Sequence, residues 1–199
     1  MTVGKSYAAT TLQKHQYLIL EARRKVKHRI PRPMQRNHVW GCDLLVKTDQ
    51  RGTAHLGLAI VDHASRACVR LQRLSDKSSM RLLQELAHTV KQYGRPQLLR
   101  TDNEAVFTSI WFTWGLRLLG IRQQRTEPGC PWQNGRVERF IGTVKGALAM
   151  DSIPNEHALT NALRDVRIWY NLERPHDHLQ GRTPAEVWAG IDVFASRTG

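Results

Sequence analysis

The sequence has few of the features that mark secreted, membrane-spanning or zinc-finger proteins. Its three cysteines, Cys42, Cys68 and Cys130, form neither a Cys-x-x-Cys pair nor the His/Cys spacing of a zinc site. They predict free thiols in a reducing compartment rather than a disulfide framework. No stretch approaches about 20 uninterrupted apolar residues, and the N-terminus lacks the apolar core of a signal peptide. We therefore expect no membrane partner and a cytoplasmic location.

Acidic residues are also scarce. The 199 residues include 17 Asp and Glu against 30 Lys and Arg, which gives a formal net charge of +13. Between Glu21 and Arg36, seven cations accompany one acid. Clustered cations release counterions when they meet nucleic acid, so this segment favours DNA contact over a merely solvated basic tail. The residues expected to touch DNA here are Arg23, Arg24, Lys25 and Lys27.

The spacing of apolar residues predicts an α/β domain. Alternating runs separated by turn-forming residues indicate strands, and repeats at helical spacing indicate helices. Pro31 and Pro33 end any regular structure in the basic segment before the core begins. Strands are predicted at 38–47, 54–63, 67–73, 96–102 and 121–125, helices at 76–93, 109–119, from 136 onward, at 156–172 and after Thr183-Pro184, and a loop at 127–135.

This order predicts a mixed five-stranded sheet flanked by helices. Short turns join the first three strands, so these form an antiparallel meander, and two parallel strands follow. Residues 1–36 are expected to be a basic arm or linker and 37–155 a catalytic core. Residues 156–199 supply C-terminal helices that complete the core, and a tail.

Three carboxylates lie where this sheet could gather them. Asp43 lies within the first strand, Asp102 ends the fourth, and Glu138 begins a helix after a turn-rich stretch. The last two are separated by 35 residues (138 − 102 − 1 = 35). Convergent carboxylates suit a pair of hard divalent cations that activate water or a hydroxyl against a phosphodiester. With the positive charge, they indicate a DNA-processing enzyme.

The motifs around these residues resemble those of a known family. They are Asn37-His-Val-Trp-Gly-Cys-Asp43, Arg100-Thr-Asp-Asn103, Pro128-Gly-Cys-Pro-Trp-Gln-Asn-Gly-Arg-Val-Glu-Arg139 and Tyr170-Asn-Leu-Glu-Arg-Pro-His176, followed by Leu179 and Thr183-Pro184. Together they resemble the catalytic core of retroviral-type integrases and of bacterial insertion-sequence transposases with an Asp, Asp, (35) Glu signature. The resemblance implies a ribonuclease H-like fold.

The resemblance also implies roles for individual residues. Asp43 would be shared between two Mg²⁺ or Mn²⁺ ions in each active site, and Asp102 and Glu138 would each complete the shell of one ion. Lys145, seven residues after Glu138, matches a lysine that touches the DNA end being joined. The other expected DNA contacts near the site are Asn134, Gln133, Arg139 and Trp132.

The sequence departs from the family pattern at two places. Glu104 replaces the usual glycine after Asp102-Asn103, and its carboxylate either faces the site or, as we favour, caps the next turn. The zinc-binding module of retroviral integrases has no counterpart in residues 1–36. The chain is therefore expected to be a fragment, a domain or one of two cooperating proteins, with end recognition in a separate domain or subunit.

Several further residues have two interpretations. Cys42 is more consistent with a small buried hydrophobe than with a metal ligand, and His176 with packing or capping than with catalysis. Asp62 and His63 are expected to form a turn. Trp111, Trp114 and Trp169 are expected in the core, whereas Trp132 is open to either a structural role or stacking on DNA.

The leading functional prediction is a transposase or integrase that cleaves DNA and transfers strands with divalent metal. Its partners would be double-stranded DNA, as element ends and target, and further copies of itself in a bacterial nucleoid. The alternatives are a ribonuclease H-like nuclease without strand transfer, and a DNA-binding regulator that keeps the fold without catalysis.

Overall fold

The structure is a computed structural model that describes residues 34–127 and 131–191, except for the side chains of residues 131 and 132. Five strands and six α-helices follow one another in the described residues. The strands are β1 (Val39–Thr48), β2 (Ala54–Asp62), β3 (Cys68–Leu74), β4 (Leu98–Thr101) and β5 (Arg122–Arg125). The helices are α1 (Ser79–Tyr93), α2 (Ala105–Thr108), α3 (Ile110–Leu118), α4 (Gly135–Ala149), α5 (Glu156–Leu172) and α6 (Pro184–Ala189).

The strands form one sheet in the order β3-β2-β1-β4-β5. β1 pairs antiparallel with β2, and β2 with β3. β4 lies parallel to β1 on one side and to β5 on the other. The predicted arrangement of three antiparallel strands followed by two parallel strands is confirmed.

Helices cover both faces of the sheet. On one face, Leu45 of β1 packs in a buried cluster with Val137 and Phe140 of α4 and with Leu163 of α5. On the other face, residues of β1, β2 and β4 pack against α1, α2 and α3. Side chains alternate along each strand, so neighbouring residues of β1 contribute to opposite clusters. α5 contributes to the same buried cluster as α4.

Most helix ends lie close to the predicted positions. Gly94 ends α1 at φ 88°, and Thr183 caps α6 in a reciprocal pair with Glu186. α1 starts three residues later than predicted, since Ser78 accepts a hydrogen bond from the Arg81 backbone N–H and so begins the helix there. Part of the predicted loop is instead a 3₁₀ turn, Pro131–Asn134.

The prediction that three tryptophans lie in the core is wrong. Trp111 and Trp114 are 73% and 55% exposed, and Trp169 is 38% exposed. α3 turns Phe112 and Leu116 inward, one helical turn apart, so Trp111 and Trp114 fall outside its buried face. Residues 1–33 of the predicted basic arm and Cys130 lie outside the described residues. Among those described, no helix is both long and apolar enough to cross a membrane.

Candidate active site

The pairing of β1 with β4 brings the first two carboxylates to the same level. Val39, Trp40 and Gly41 lie opposite Leu98, Leu99 and Arg100, an offset of 59 residues. The same offset carried two residues further sets Asp43 level with Asp102 (43 + 59 = 102). Two aspartates 59 positions apart in sequence are therefore neighbours at one end of the parallel pair.

The third carboxylate comes from the helix that covers this face. A Cβ added to Gly41 would lie 3.3 Å from the Cβ of Val137 in α4. Leu45 packs in the same cluster as Val137. Asp43 lies between Gly41 and Leu45, so it shares their face of the strand. Glu138 follows Val137 in the first turn of α4 and is exposed.

The environment of Asp43 favours its protonated form. Burial, with a smaller contribution from the negative charges of Asp102, Glu138 and Glu104, raises the pKa of Asp43 to about 6. A hydrogen bond of 2.7 Å from the Leu44 backbone N–H opposes this shift. The charges of both other predicted ligands thus reach Asp43. Groups that repel one another in this way bind a cation favourably.

Asp102 and Glu104 form the second part of the acidic region. Burial raises the pKa of Asp102, and the charge of Glu104 adds to the rise. The Glu104 backbone N–H donates to Asp102 Oδ1 at 3.0 Å. The Glu104 side chain does not cap α2, contrary to the favoured interpretation. It forms an ion pair with Lys77 at 2.7 Å and adds a fourth negative charge near the site.

Carboxylate oxygens are the donors that Mg²⁺ and Mn²⁺ prefer, so the chemistry of this set fits a hard divalent cation. Within residues 34–127 and 131–191, however, no three Asp, Glu, His or Cys side chains are already grouped as a metal site. The fold therefore brings Asp43, Asp102 and Glu138 within electrostatic reach without forming a finished cage. Cys42 is buried in the opposite cluster, which agrees with a packing role.

The predicted DNA contacts near the site differ in exposure. Lys145 and Arg139 are exposed on α4. Asn134 is only 2% exposed, and its Oδ1 has no hydrogen-bond partner. Gln133 is held by its neighbours, since its side chain accepts from the Glu127 backbone N–H and its carbonyl accepts from Arg100. The Trp132 side chain and the basic residues Arg23, Arg24, Lys25 and Lys27 lie outside the described part.

The predicted turn after β2 is present, and it is buried, which was not predicted. Asp62 is fully buried and accepts from the backbone N–H of Asn37, Ala64 and Ser65 and from the Ser65 hydroxyl. His63 is 2% exposed. Burial lowers the pKa of His63 to about 3, helped by the charges of Arg136 and Arg100. His63 is therefore a neutral ring at physiological pH.

Comparisons with known proteins agree with this architecture. Residues 119–184 match the family model described as Integrase core domain, a region that contains Glu138 but neither aspartate. A protein of insertion element IS476 from Xanthomonas euvesicatoria is 31% identical over 162 residues, which are 77% of this chain and 44% of that protein. The transposase for insertion sequence element IS904 from Lactococcus lactis is 26% identical over 75% of this chain and 60% of that protein.

A solved structure shows the same fold. The HTLV-2 integrase catalytic core domain, in complex with magnesium and in a dimeric form, matches with a TM-score of 0.63 and 19% identity. The match covers 79% of this chain and 99% of that chain. The fold is thus the ribonuclease H-like α/β fold of integrase catalytic cores.

The resemblance predicted from the motifs is confirmed: the chain is related to retroviral integrase cores and to bacterial insertion-sequence transposases. It spans about half the length of the curated relatives it matches.

Proposed function

We propose that the protein is a DNA strand-transfer enzyme of the integrase and transposase type. The observation that carries the proposal is the β1–β4 register, which sets Asp43 level with Asp102 on the face covered by the helix of Glu138. The family match and the transposase relatives support the same activity. The substrates would be the DNA ends of a mobile element and a target duplex, as expected for a chain of net charge +13.

Asp43, Asp102 and Glu138 would hold two Mg²⁺ or Mn²⁺ ions, with Asp43 shared between them. The bound ions would supply Lewis-acid activation of the attacking oxygen and charge stabilisation at the leaving 3′ oxygen. The protein itself positions the reacting groups, and no serine or tyrosine has to form a covalent intermediate. The HTLV-2 core, which was solved with magnesium, is consistent with this assignment.

The partners follow from the reaction. Joining two DNA ends to one target needs at least two active sites, so we expect the chain to act as a homo-oligomer, in line with the dimeric form of the HTLV-2 core. Lys145 on α4 would contact the DNA end, and Asn134 would border the reacting strand. End recognition would come from a further domain or subunit.

The test is a joining assay with Mg²⁺ or Mn²⁺, a duplex carrying the ends of the element that encodes the chain, and a plasmid target. Glu138→Gln and Asp43→Asn should lower the yield of joined product by about 10³-fold or more, because each removes a metal-holding charge. Asp151→Asn is the matched control, since Asp151 is exposed just beyond the C-terminal end of α4 and its change should leave joining unchanged.

Two results would contradict the proposal. Cleavage without joining, under all end sequences of the element, would indicate a plain nuclease. Tight DNA binding with neither reaction would indicate a DNA-binding regulator.

A further inference from the structure

A cavity of about 230 Å³ lies beside the amino-terminal half of α4, away from the three carboxylates. Four arginines from three parts of the chain line it: Arg66 after β2, Arg136 and Arg139 on α4, and Arg174 after α5. Tyr170 and His176 also line it, and its one acidic residue is Asp177. On a helical wheel at about 100° per residue, Arg139 and Arg136 fall about 100° to 160° from Glu138.

Acidic groups compensate the charge of the arginines in this cavity only in part. Within residues 34–127 and 131–191, none of the four forms an ion pair. The charge of the buried Asp62 reaches Arg66 and Arg136 and raises their pKa values, but burial and the neighbouring arginines outweigh it, so both pKa values are lowered. Uncompensated charges that are partly buried are costly, so such a cluster is expected to have a ligand.

The side chains fall into two groups. Arg136 Nη1 donates to the His63 carbonyl at 2.6 Å, and Arg174 lies over the Tyr170 ring at 5.8 Å. These two arginines are therefore held in place. The side chains of Arg66 and Arg139 make no hydrogen bond within the described residues, so their guanidinium groups keep all their donors available.

The pKa values of the residues that line the cavity also favour an anionic ligand. Burial, together with the charges of Arg66 and Arg100, lowers the pKa of Arg136 to about 10. Burial lowers the pKa of His176 to about 4, and Arg174 and Arg66 contribute. The arginines remain charged and His176 remains neutral at pH 7. A bound anion would remove the repulsion between the arginines.

We propose that this arginine cavity binds one phosphate group of a DNA backbone, at a subsite separate from the three carboxylates. Guanidinium groups match phosphate oxygens with paired, charge-assisted hydrogen bonds, and the cavity is large enough for a phosphodiester. The assignment to DNA rests on the proposed function. The cavity would fix the direction of a duplex across α4 and contribute no sequence preference.

The experiment measures binding of a 30-base-pair duplex over a range of NaCl concentrations without divalent metal. The variant combines Arg66→Gln with Arg139→Gln, and the control is Arg164→Gln, which removes one exposed arginine from α5. The paired variant should bind DNA roughly three- to tenfold more weakly, and its plot of log K against log salt should be less steep by about 1. The control should match the wild type.

A second measurement needs no variant. Inorganic phosphate should raise the melting temperature of the wild-type protein above its value in chloride of equal ionic strength, and it should displace DNA better than chloride does. The paired variant, if it folds, should lose both responses. Equal effects of phosphate and chloride on the wild type would overturn the proposal.

The remaining outcomes separate the two sources of phosphate and the two proposals. If phosphate stabilises the wild type while the folded paired variant keeps the wild-type salt slope, the cavity binds free phosphate and the DNA assignment is wrong. Glu138→Gln should retain the wild-type slope while losing joining. If joining is never seen but the paired variant shows the reduced slope, the proposed function fails and the cavity assignment stands.

Discussion

The regions on the two sides of α4 carry charges of opposite sign, and in both the charge is not fully neutralised by nearby residues. On one side, burial together with the charges of Asp102, Glu138 and Glu104 raises the pKa of Asp43 to about 6. On the other, three partly buried arginines and the exposed Arg139 line a cavity with one acid. Each side concentrates charge of one sign beyond what its own partners neutralise. We therefore expect a bound cation to neutralise the first region and a bound anion the second.

His63 lies between the two sides. A Cβ added to Gly41 would lie 2.7 Å from His63 Nε2, on the strand that carries Asp43. The carbonyl of the same His63 accepts from Arg136, at the cavity. A change at Gly41 therefore reaches both regions.

The largest expected effect on stability is that of Gly41→Ala. The new methyl group would press on a buried ring and on Val137, so we expect a loss of about 1–3 kcal/mol in the free energy of unfolding, measured by urea denaturation. Gly146→Ala on α4 is the control: nothing lies within 4 Å of the added Cβ, and the helix should gain about 0.5–1 kcal/mol. Equal stability of the Gly41→Ala and wild-type proteins would contradict the packing argument.

The next largest effect is the pH dependence of the stability difference between Asp43→Asn and the wild type, measured in the presence of a chelator. The pKa of Asp43 is raised from 3.8 to about 6 in the folded protein, so its contribution to stability is complete below pH 3.8 and is lost as the pH rises through 6. Near pH 4 the variant and the wild type should have the same free energy of unfolding. At pH 7.5 the variant should be more stable by about 1–2 kcal/mol, after allowance for solvent screening. A constant difference across this range would show that the pKa of Asp43 is not raised in the folded protein.

Separate ligands should stabilise the two sides independently. At tenfold its dissociation constant, Mg²⁺ or sulfate alone should add about 1.4 kcal/mol, and both together should add the sum within about 0.5 kcal/mol. Thermal melts of the wild type measure this, with Glu138→Gln expected to lose only the Mg²⁺ response and Arg66→Gln with Arg139→Gln only the sulfate response. Competition between the two ligands would mean that they share one site.

The smallest effect is expected for Lys145→Gln. Lys145 is exposed and makes no hydrogen bond or ion pair within the described residues, so its loss should leave the melting temperature unchanged. Binding of element-end duplex should weaken about threefold, with a salt slope reduced by about 1. A change in melting temperature without a change in DNA binding would make Lys145 structural.

The sequence allowed much of the fold to be predicted because its signals are local. Turn chemistry at Asp62 and Gly94, and the cap at Thr183, act over a few residues and give element boundaries directly. The level position of Asp43 and Asp102 required only that β1 and β4 be parallel neighbours. The three carboxylates could therefore be proposed as a site from their spacing and the surrounding motifs.

The arginine cavity was not predictable in the same way. Arg66, Arg136 and Arg174 come from three separate segments, and only the packing of α5 beside α4 brings them together. Arg136 and Arg139 at helical spacing were the one local signal. The prediction that the tryptophans of α3 are buried was wrong, because the hydrophobic character of a residue does not indicate which side of its helix is covered.

The order of the strands has a consequence for solubility. β5 forms one border of the sheet, and its outer backbone groups offer a template on which a strand of another molecule could add. Its sequence, Arg-Gln-Gln-Arg, contains no apolar side chain, and neither Arg122 nor Arg125 has an ion-pair partner among residues 34–127 and 131–191. Repulsion between these guanidinium groups opposes pairing of two β5 strands, so extension of the sheet across this border is disfavoured.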